Sequence, residues 1–455
     1  MQLSSSLLTA RFLNWSRRPL ARPNITAHLR TFVRGSAGTG VALAVRAVGS
    51  VLLNKLLVLH GGPGSLSQLG QFQSLMSLFG ALPANGVQAG VTSYLAPLRP
   101  GRPRYRLWLG AAGWLTALLI GVGGLLLLLF GGATWTLGRT AIFTGAMLLV
   151  CVQTLLSAVL LVAGRRGDYV LLAVVISLLG LGAVAGLLAL GRPLPQVLLG
   201  YAAGQALTCG LALVLARRAG LLRGWRRCRK PSRVAVRGLL KFVLMAVGTQ
   251  LFGQAVGYAL RTYLIRHYPP AATDLWQTVD KLSGNYAMVV ATILSTVFYP
   301  RLAALAPRPT EQRRYISAVA GLLAVGLALG LGVLYLFRIR ILTLLFTPHL
   351  AAAASLLAPQ LVGDWARFLS WLFQYILLAR GRPGPYLALQ GGASLMYASL
   401  LALFIPARGL HGVVDAYAVH SCLLLLVCGG WFYGRGLGGG SQQSVLPLPT
   451  PPVGV

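Results

Sequence analysis

Long apolar runs constrain this chain more than any other feature. Twelve of them, each near the roughly 20 residues that a helix needs to cross a bilayer, fall at 35–59, 66–95, 107–131, 136–163, 168–190, 195–216, 236–265, 272–300, 315–337, 354–379, 385–406 and 411–433. Segments alternating with period two are missing, which excludes a β-barrel. A mean hydropathy of +0.72 and only 10% charged residues over 455 residues point to the same class. The expected fold is an all-α integral membrane protein with 12 transmembrane helices.

Charge sets the orientation. The net charge is +34, from 40 Lys and Arg against 6 Asp and Glu. In a soluble protein that excess would suggest nucleic acid, but here the bases sit in short loops between spans. With Arg139 and Arg237, at the edges of their spans, counted with the adjoining loops, 28 of the 40 fall on the side of the termini and the even-numbered loops, 6 on the opposite side and 6 inside spans. The positive-inside rule then places both termini in the cytoplasm, as an even number of helices requires.

A basic stretch, RRAGLLRGWRRCRKPSR, divides the chain near its middle. We expect a basic N-terminal segment (1–33), an N-lobe of six helices (34–216), a basic cytoplasmic linker (217–234), a C-lobe of six helices (235–434) and a disordered tail (435–455). The N-terminal segment lacks the pattern of a cleavable signal. It reads either as a membrane-surface segment or as an over-extended start. An internal repeat supports the division. At an offset of 206, Lys55 falls on Arg261, Pro63 on Pro269, Leu69 on Leu275 and Gln71 on Gln277. Tyr169 pairs with Tyr386 at 217, and Arg192 and Tyr201 pair with Arg408 and Tyr417 at 216. Six helices per half return the chain to its starting side, so the two lobes are pseudo-symmetric about an axis along the membrane normal.

Polar residues inside the spans fall on coherent helix faces. In the seventh span Gln250, Gln254, Tyr258 and Arg261 form one stripe. In the eighth, Gln277, Lys281, Gly284 and Met288 share a face with Asp280 beside it. Asp364, Arg367 and Gln374 share one in the tenth, and Gln71, Ser74, Asn85, Gln88 and Thr92 approximate one in the second, where Pro83 is able to bend the helix. Hydrocarbon offers such groups no partners, so these faces are expected to line an interior cavity. Arg46 and Lys55, nine residues apart, lie on opposite faces of a straight helix, and Lys55 is the better placed to snorkel. Bases inside the spans outnumber the acids Asp280 and Asp364, even if Asp364 and Arg367 pair locally. That surplus suits a phosphate or pyrophosphate rather than a cation.

Enzyme chemistry has little to stand on. His60 and His267 sit singly in short turns, and no extramembrane loop is long enough for a catalytic domain. The five cysteines lack CxxC spacing, so neither a disulfide framework nor a metal site is indicated. A Walker A sequence is missing, which excludes ATP as the direct drive, and no cofactor is expected.

Several motifs resemble the Wzx-type flippases of the multidrug/oligosaccharidyl-lipid/polysaccharide exporter superfamily. These are QLVGD (Gln360 to Asp364), KFVLMA (Lys241 to Ala246), Trp276-Gln277, Tyr299-Pro300 with Leu302, IPARG with the later AY (Ile405 to Tyr417), and GPG at Gly62 to Gly64 followed by LGQFQSL and NGV. The resemblance covers about residues 30 to 434. It implies twelve helices in two lobes, a bacterial inner membrane, and an O-antigen or common-antigen type glycan on undecaprenyl pyrophosphate as cargo. It further implies polysaccharide polymerase and chain-length proteins as partners. It also implies that Arg46, Lys55 and Arg261 face a central cavity, and Gln390 stands where some relatives carry a carboxylate.

The expected function is therefore a lipid-linked oligosaccharide flippase working by alternating access. Arg46, Arg261 and Lys281 are expected to hold the pyrophosphate, with Lys55 and Arg367 assisting. Gln71, Asn85, Gln250, Gln254 and Tyr258 are expected to offer hydrogen bonds to the sugar hydroxyls, Gln277 is expected to belong to the same binding site, and the polyprenyl tail is expected to stay among membrane lipids. The membrane potential and proton coupling through Asp280 or Asp364 are competing drives. A drug/cation antiporter of the same superfamily is the alternative, followed by a polyprenyl-linked glycan polymerase or transferase.

Overall fold

The computed structural model describes residues 44–95, 98, 102–132, 135–222, 232–246, 252–305, 309–379 and 383–434. Among them there is no strand. The chain runs as α1 (44–60), α2 (Ser65–Gly80), a π-helical turn (Ala81–Val87), α3 (Gln88–Leu95), α4 (Pro103–Phe130), α5 (Leu137–Val162), α6 (Arg166–Ala189) and α7 (Leu194–Arg218). It continues through α8 (Arg233–Ala246), α9 (Phe252–His267), α10 (Pro270–Ile293), a second π turn (Leu294–Phe298) and α11 (Tyr299–Ala304). Then come α12 (Pro309–Leu336), α13 (Arg338–Leu345), a 3-10 segment (Pro348–Leu356), α14 (Leu357–Ala379), α15 (Pro383–Arg408) and α16 (Leu410–Gly434).

Seven of these helices are long and apolar enough to cross a membrane: α4, α5, α6, α7, α16, and most of α12 and α15. The other expected spans are those broken by a π turn, cut by undescribed residues, or carrying the charged and amide side chains that line cavities. On α12, Leu322, Val325, Leu329 and Leu336 recur along the helix and are 61–76% exposed. In water such a stripe would be a liability; against lipid it is the expected outer surface. Pro83, where the sequence allows a bend, lies in the π turn Ala81–Val87, an interruption of the α-helical ladder of the kind that accommodates a missing proline N–H and the ring.

Buried apolar residues gather in four clusters that follow the halves of the sequence. Two combine first-half residues such as Leu57, Phe143, Met147, Leu156 and Val159. Two combine second-half residues such as Leu264, Val279, Leu357, Phe373 and Phe432. Two helices cross the boundary: Leu66 of α2 joins a second-half cluster, and Leu239 and Val243 of α8 join a first-half one. Gly86 and Gly90, one turn apart, make that crossing close: a Cβ at Gly86 would lie 2.8 Å from the Val243 backbone, and one at Gly90 would lie 2.8 Å from Leu239. Small residues at this spacing let two helices approach within a membrane.

Candidate functional site

Among the described residues, three cavities of different size carry polar side chains in their walls. The largest, about 590 Å³, sits in the second half between α9, α10, α14, α15 and α16. Gln254, Arg261, Asp280, Arg367 and Gln374 all line it, so the stripes expected on three separate helices do converge. A cavity of about 360 Å³ in the first half is lined by Arg46, Gln73, Thr154, Ser177, Tyr201 and Gln205. A third, also about 360 Å³, lies where α2, α5 and α7 meet α9 and contains Gln68, Gln71, Arg139, Tyr258, Thr262 and Arg266. Gln71 donates to Thr262 Oγ1 at 3.1 Å there. The seventh-span stripe is thus shared between two cavities. Gln250 and the side chain of Asn85 lie outside the described residues.

Helix geometry explains how neighbouring residues of α10 part company. Consecutive positions are about 100° apart around a helix. Asp280 therefore turns into the second-half cavity, while Lys281 donates from Nζ to Gln73 Oε1, a residue of the first-half cavity. Gln277 is fully buried where α10 presses on α2.

The charges of the large cavity are satisfied within it. Arg261 Nη2 donates to Asp280 Oδ2 at 2.5 Å, Nε donates to Gln277 Oε1 at 3.2 Å, and the guanidinium lies 5.4 Å from the Trp276 ring centre. Asp364, fully buried, accepts from Ser283 at 2.8 Å, from Tyr417 at 2.6 Å and from Tyr286. Arg367 Nη1 donates to Tyr417 Oη at 3.3 Å and its guanidinium stacks 5.0 Å from Trp371. The local pairing of Asp364 with Arg367 is thus relayed through a tyrosine hydroxyl, because a charge in this interior needs partners at hydrogen-bond distance. Two cations and one carboxylate thus line the cavity, and the second carboxylate, Asp364, is buried behind its wall.

Two bases of the first helix separate as their spacing requires. Arg46 lines the first-half cavity with Gly49, Ser50 and Leu53, and no acid is among that cavity's lining residues. Lys55 instead donates to the Leu344 carbonyl at 3.0 Å, near the C-terminal end of α13, and lines none of the three cavities. A cation completing the free carbonyls of a helix end is well placed.

Sequence reasoning passed over Asp274. It is 6% exposed on α10, and it accepts the Gly64 N–H at 2.7 Å, the Ser67 N–H at 2.8 Å and the Ser67 hydroxyl at 2.6 Å. It therefore caps the first turn of α2 from another helix. The signal available in sequence was an acid at the start of an apolar span, with a GPG turn starting its twin. His420 and Ser421 of the large cavity were also passed over.

No protein-family model matches the sequence. The chain is 26% identical over 419 residues to the lipid III flippase of Escherichia coli (strain K12), covering 88% of this chain and 98% of that one. The lipid III flippase of Shigella flexneri matches with the same figures. Among solved structures, an outward-facing multidrug resistance MATE family transporter of the MOP superfamily superposes with a TM-score of 0.63 at 16% identity, over 89% of this chain and 94% of that one. The lipid II flippase MurJ in its inward closed conformation superposes with a TM-score of 0.62 at 13% identity, over 87% of each chain. The chain is thus a multi-pass inner-membrane transporter rather than an enzyme, with the fold of MATE and MurJ and a sequence that resembles the lipid-linked oligosaccharide flippases.

Proposed function

We propose that this protein moves an undecaprenyl-pyrophosphate-linked oligosaccharide from the cytoplasmic to the periplasmic leaflet by alternating access. The observation that carries this reading is the likeness to lipid III flippases along nearly the whole of both chains. Twelve helices in two six-helix lobes, with both termini cytoplasmic, are the frame we infer, and the asymmetry of basic residues supports it. Arg46 and Lys281 hold the pyrophosphate, since neither has an acid bonded to it among the described residues. Arg261 and Arg367, already engaged with Asp280 and Tyr417, shape the cavity wall beside it.

The engaged acids also weigh against the cation antiporter. A drug cation needs a carboxylate to receive it, and Asp280 and Asp364 are both taken. For the same reason we infer that the membrane potential drives export. Two negative charges moving outward through about 100 mV release roughly 4–5 kcal/mol if they cross the whole field. In proteoliposomes, flipping should follow an imposed potential and ignore a pH gradient; the reverse result would restore proton coupling.

Complementation tests the function itself. In a strain lacking its lipid III flippase, the wild-type chain should prevent accumulation of the undecaprenyl-linked intermediate. Arg46→Glu and Lys281→Glu should abolish rescue while the protein remains inserted and folded. Full rescue by both variants would refute the anion site.

A further inference from the structure

The two lobes' cavities differ in charge, and that difference assigns them different parts of one ligand. In the second-half cavity, Arg261 is neutralised by Asp280 at 2.5 Å, and Arg367 is connected to Asp364 through Tyr417. A pyrophosphate entering there would find both cations already engaged and would face the Asp280 carboxylate, with Asp364 buried behind the wall. In the first-half cavity Arg46 stands among lining residues that include no acid, and Lys281 donates to its Gln73. An anion is favoured in the first-half cavity and not in the second-half one.

What the second-half cavity does offer is equipment for a neutral, hydroxyl-rich ligand. Gln390 Nε2 donates to Gln374 Oε1 at 2.9 Å, which leaves the amides with further donor and acceptor capacity beside a space of about 590 Å³. His420 and Ser421 line the same space, and His420 Nδ1 and Ser421 Oγ have no hydrogen-bond partner. Buried polar atoms left in that state call for one. Trp371, held by Arg367 at 5.0 Å, adds an aromatic surface for the C–H faces of a sugar ring. Amides, hydroxyls and a fixed indole around a cavity with balanced charge are the chemistry of saccharide recognition.

We propose that the second-half cavity is a saccharide subsite and that the diphosphate lies on the first-half side, at Arg46 and Lys281. The inference rests on the cargo reading above. The helix α10 is the partition between the two subsites: Asp280 faces one and the next residue, Lys281, faces the other. A glycan joined to a diphosphate can therefore straddle the helix without either part entering the wrong electrostatic environment.

Two lipids separate the subsites: undecaprenyl diphosphate, and the same carrier bearing N-acetylglucosamine. Binding of each to the purified full-length protein in nanodiscs is measured by native mass spectrometry. Trp371→Ala and the milder Gln390→Leu should weaken binding of the glycosylated lipid about fivefold to tenfold. Their affinity for the bare carrier should change by less than about twofold. Arg46→Ala should weaken both lipids by the same factor. Unchanged unfolding profiles show that the variants are folded. Equal loss of both lipids in Trp371→Ala and Gln390→Leu, or loss of only the glycosylated lipid in Arg46→Ala, would overturn the division. Failure of the wild-type protein to bind either lipid would instead sink the cargo reading, and the division with it.

Discussion

Two helices begin at corresponding places in the repeat, and they solve the same problem differently. Any α-helix starts with backbone N–H groups that have no partner within it. At α10 the chain removes part of the problem, because Pro269 caps the helix, Pro270 is its first residue with φ already set, and Pro270 has no N–H to satisfy. At α2 the chain enters through Gly64 in the left-handed region, φ 86°, and no side chain of its own caps the helix. The missing partner comes from α10, as Asp274. At the offset of 206, Gly64 corresponds to Pro270, and the two touch: a Cβ on Gly64 would lie 2.9 Å from Pro270 Cβ. Asp274 itself corresponds to Gln68, which lines the cavity between α2 and α9. The duplicated sequence thus forms an unequal pair, in which one copy is self-sufficient and the other is completed by its twin.

That inequality is broken most severely at Asp274. Asp274→Ala removes three hydrogen bonds and strands two N–H groups in a buried place, a loss of about 3 kcal/mol. Asp274→Asn keeps one acceptor oxygen but presents an amine to the other donor, so it should lose about half as much. Denaturant unfolding in detergent reads both. Equal stability of wild type and Asp274→Ala would show that α2 does not depend on its twin.

Next comes the close approach one turn further along. A Cβ on Gly70 would sit 2.4 Å from the Gln277 amide, so Gly70→Ala must push away a side chain that also accepts from Arg261. Overpacking of this kind costs about 1–3 kcal/mol. Gly284 on the same partner helix faces open space, and Gly284→Ala should leave the protein as stable as before or slightly more so. If both substitutions behave alike, the α2–α10 contact is not tight.

How much of this was legible beforehand follows from what one helix can report. The face shared by Gln254 and Arg261, and that shared by Arg367 and Gln374, could be drawn from spacing alone, and all four residues line one cavity. The repeat pair Tyr201 and Tyr417 likewise lines corresponding cavities. Spacing does not say which helix lies opposite. Arg261 and Asp280 were therefore assigned separate roles, although a turn brings them to 2.5 Å. The repeat itself misled at Lys55, whose twin Arg261 lines a cavity while Lys55 binds a helix end. Asp274 was the least legible of all, since a cap supplied from another helix leaves no local motif.

Ser67 gives a smaller and more selective effect. Its hydroxyl donates to Asp274 at 2.6 Å, while its backbone N–H binds the same carboxylate oxygen at 2.8 Å. Ser67→Ala loses the first bond and keeps the second, at a cost of about 1 kcal/mol. In combination with Asp274→Ala it should cost almost nothing further, because the bond it removes is already gone. Full additivity in the double variant would place the hydroxyl's energy somewhere other than in the cap.

The smallest effect belongs to the self-sufficient twin. Pro270→Ala restores one backbone N–H at the first turn of α10 and frees φ in the unfolded chain, which should cost about 0.5 kcal/mol. The helix keeps its internal support, since Thr273 still has its N–H on the Pro269 carbonyl at 3.1 Å and its hydroxyl over the carbonyl of residue 270 at 2.8 Å. Pro270 also meets Gly64, so the substitution leaves a little more room at the point where the twins touch. If α10 is as self-reliant as its sequence suggests, Pro270→Ala should cost several times less than Asp274→Ala in the same unfolding experiment. Comparable losses would mean that the two helix starts support each other equally, and that the asymmetry lies only in which residues carry it.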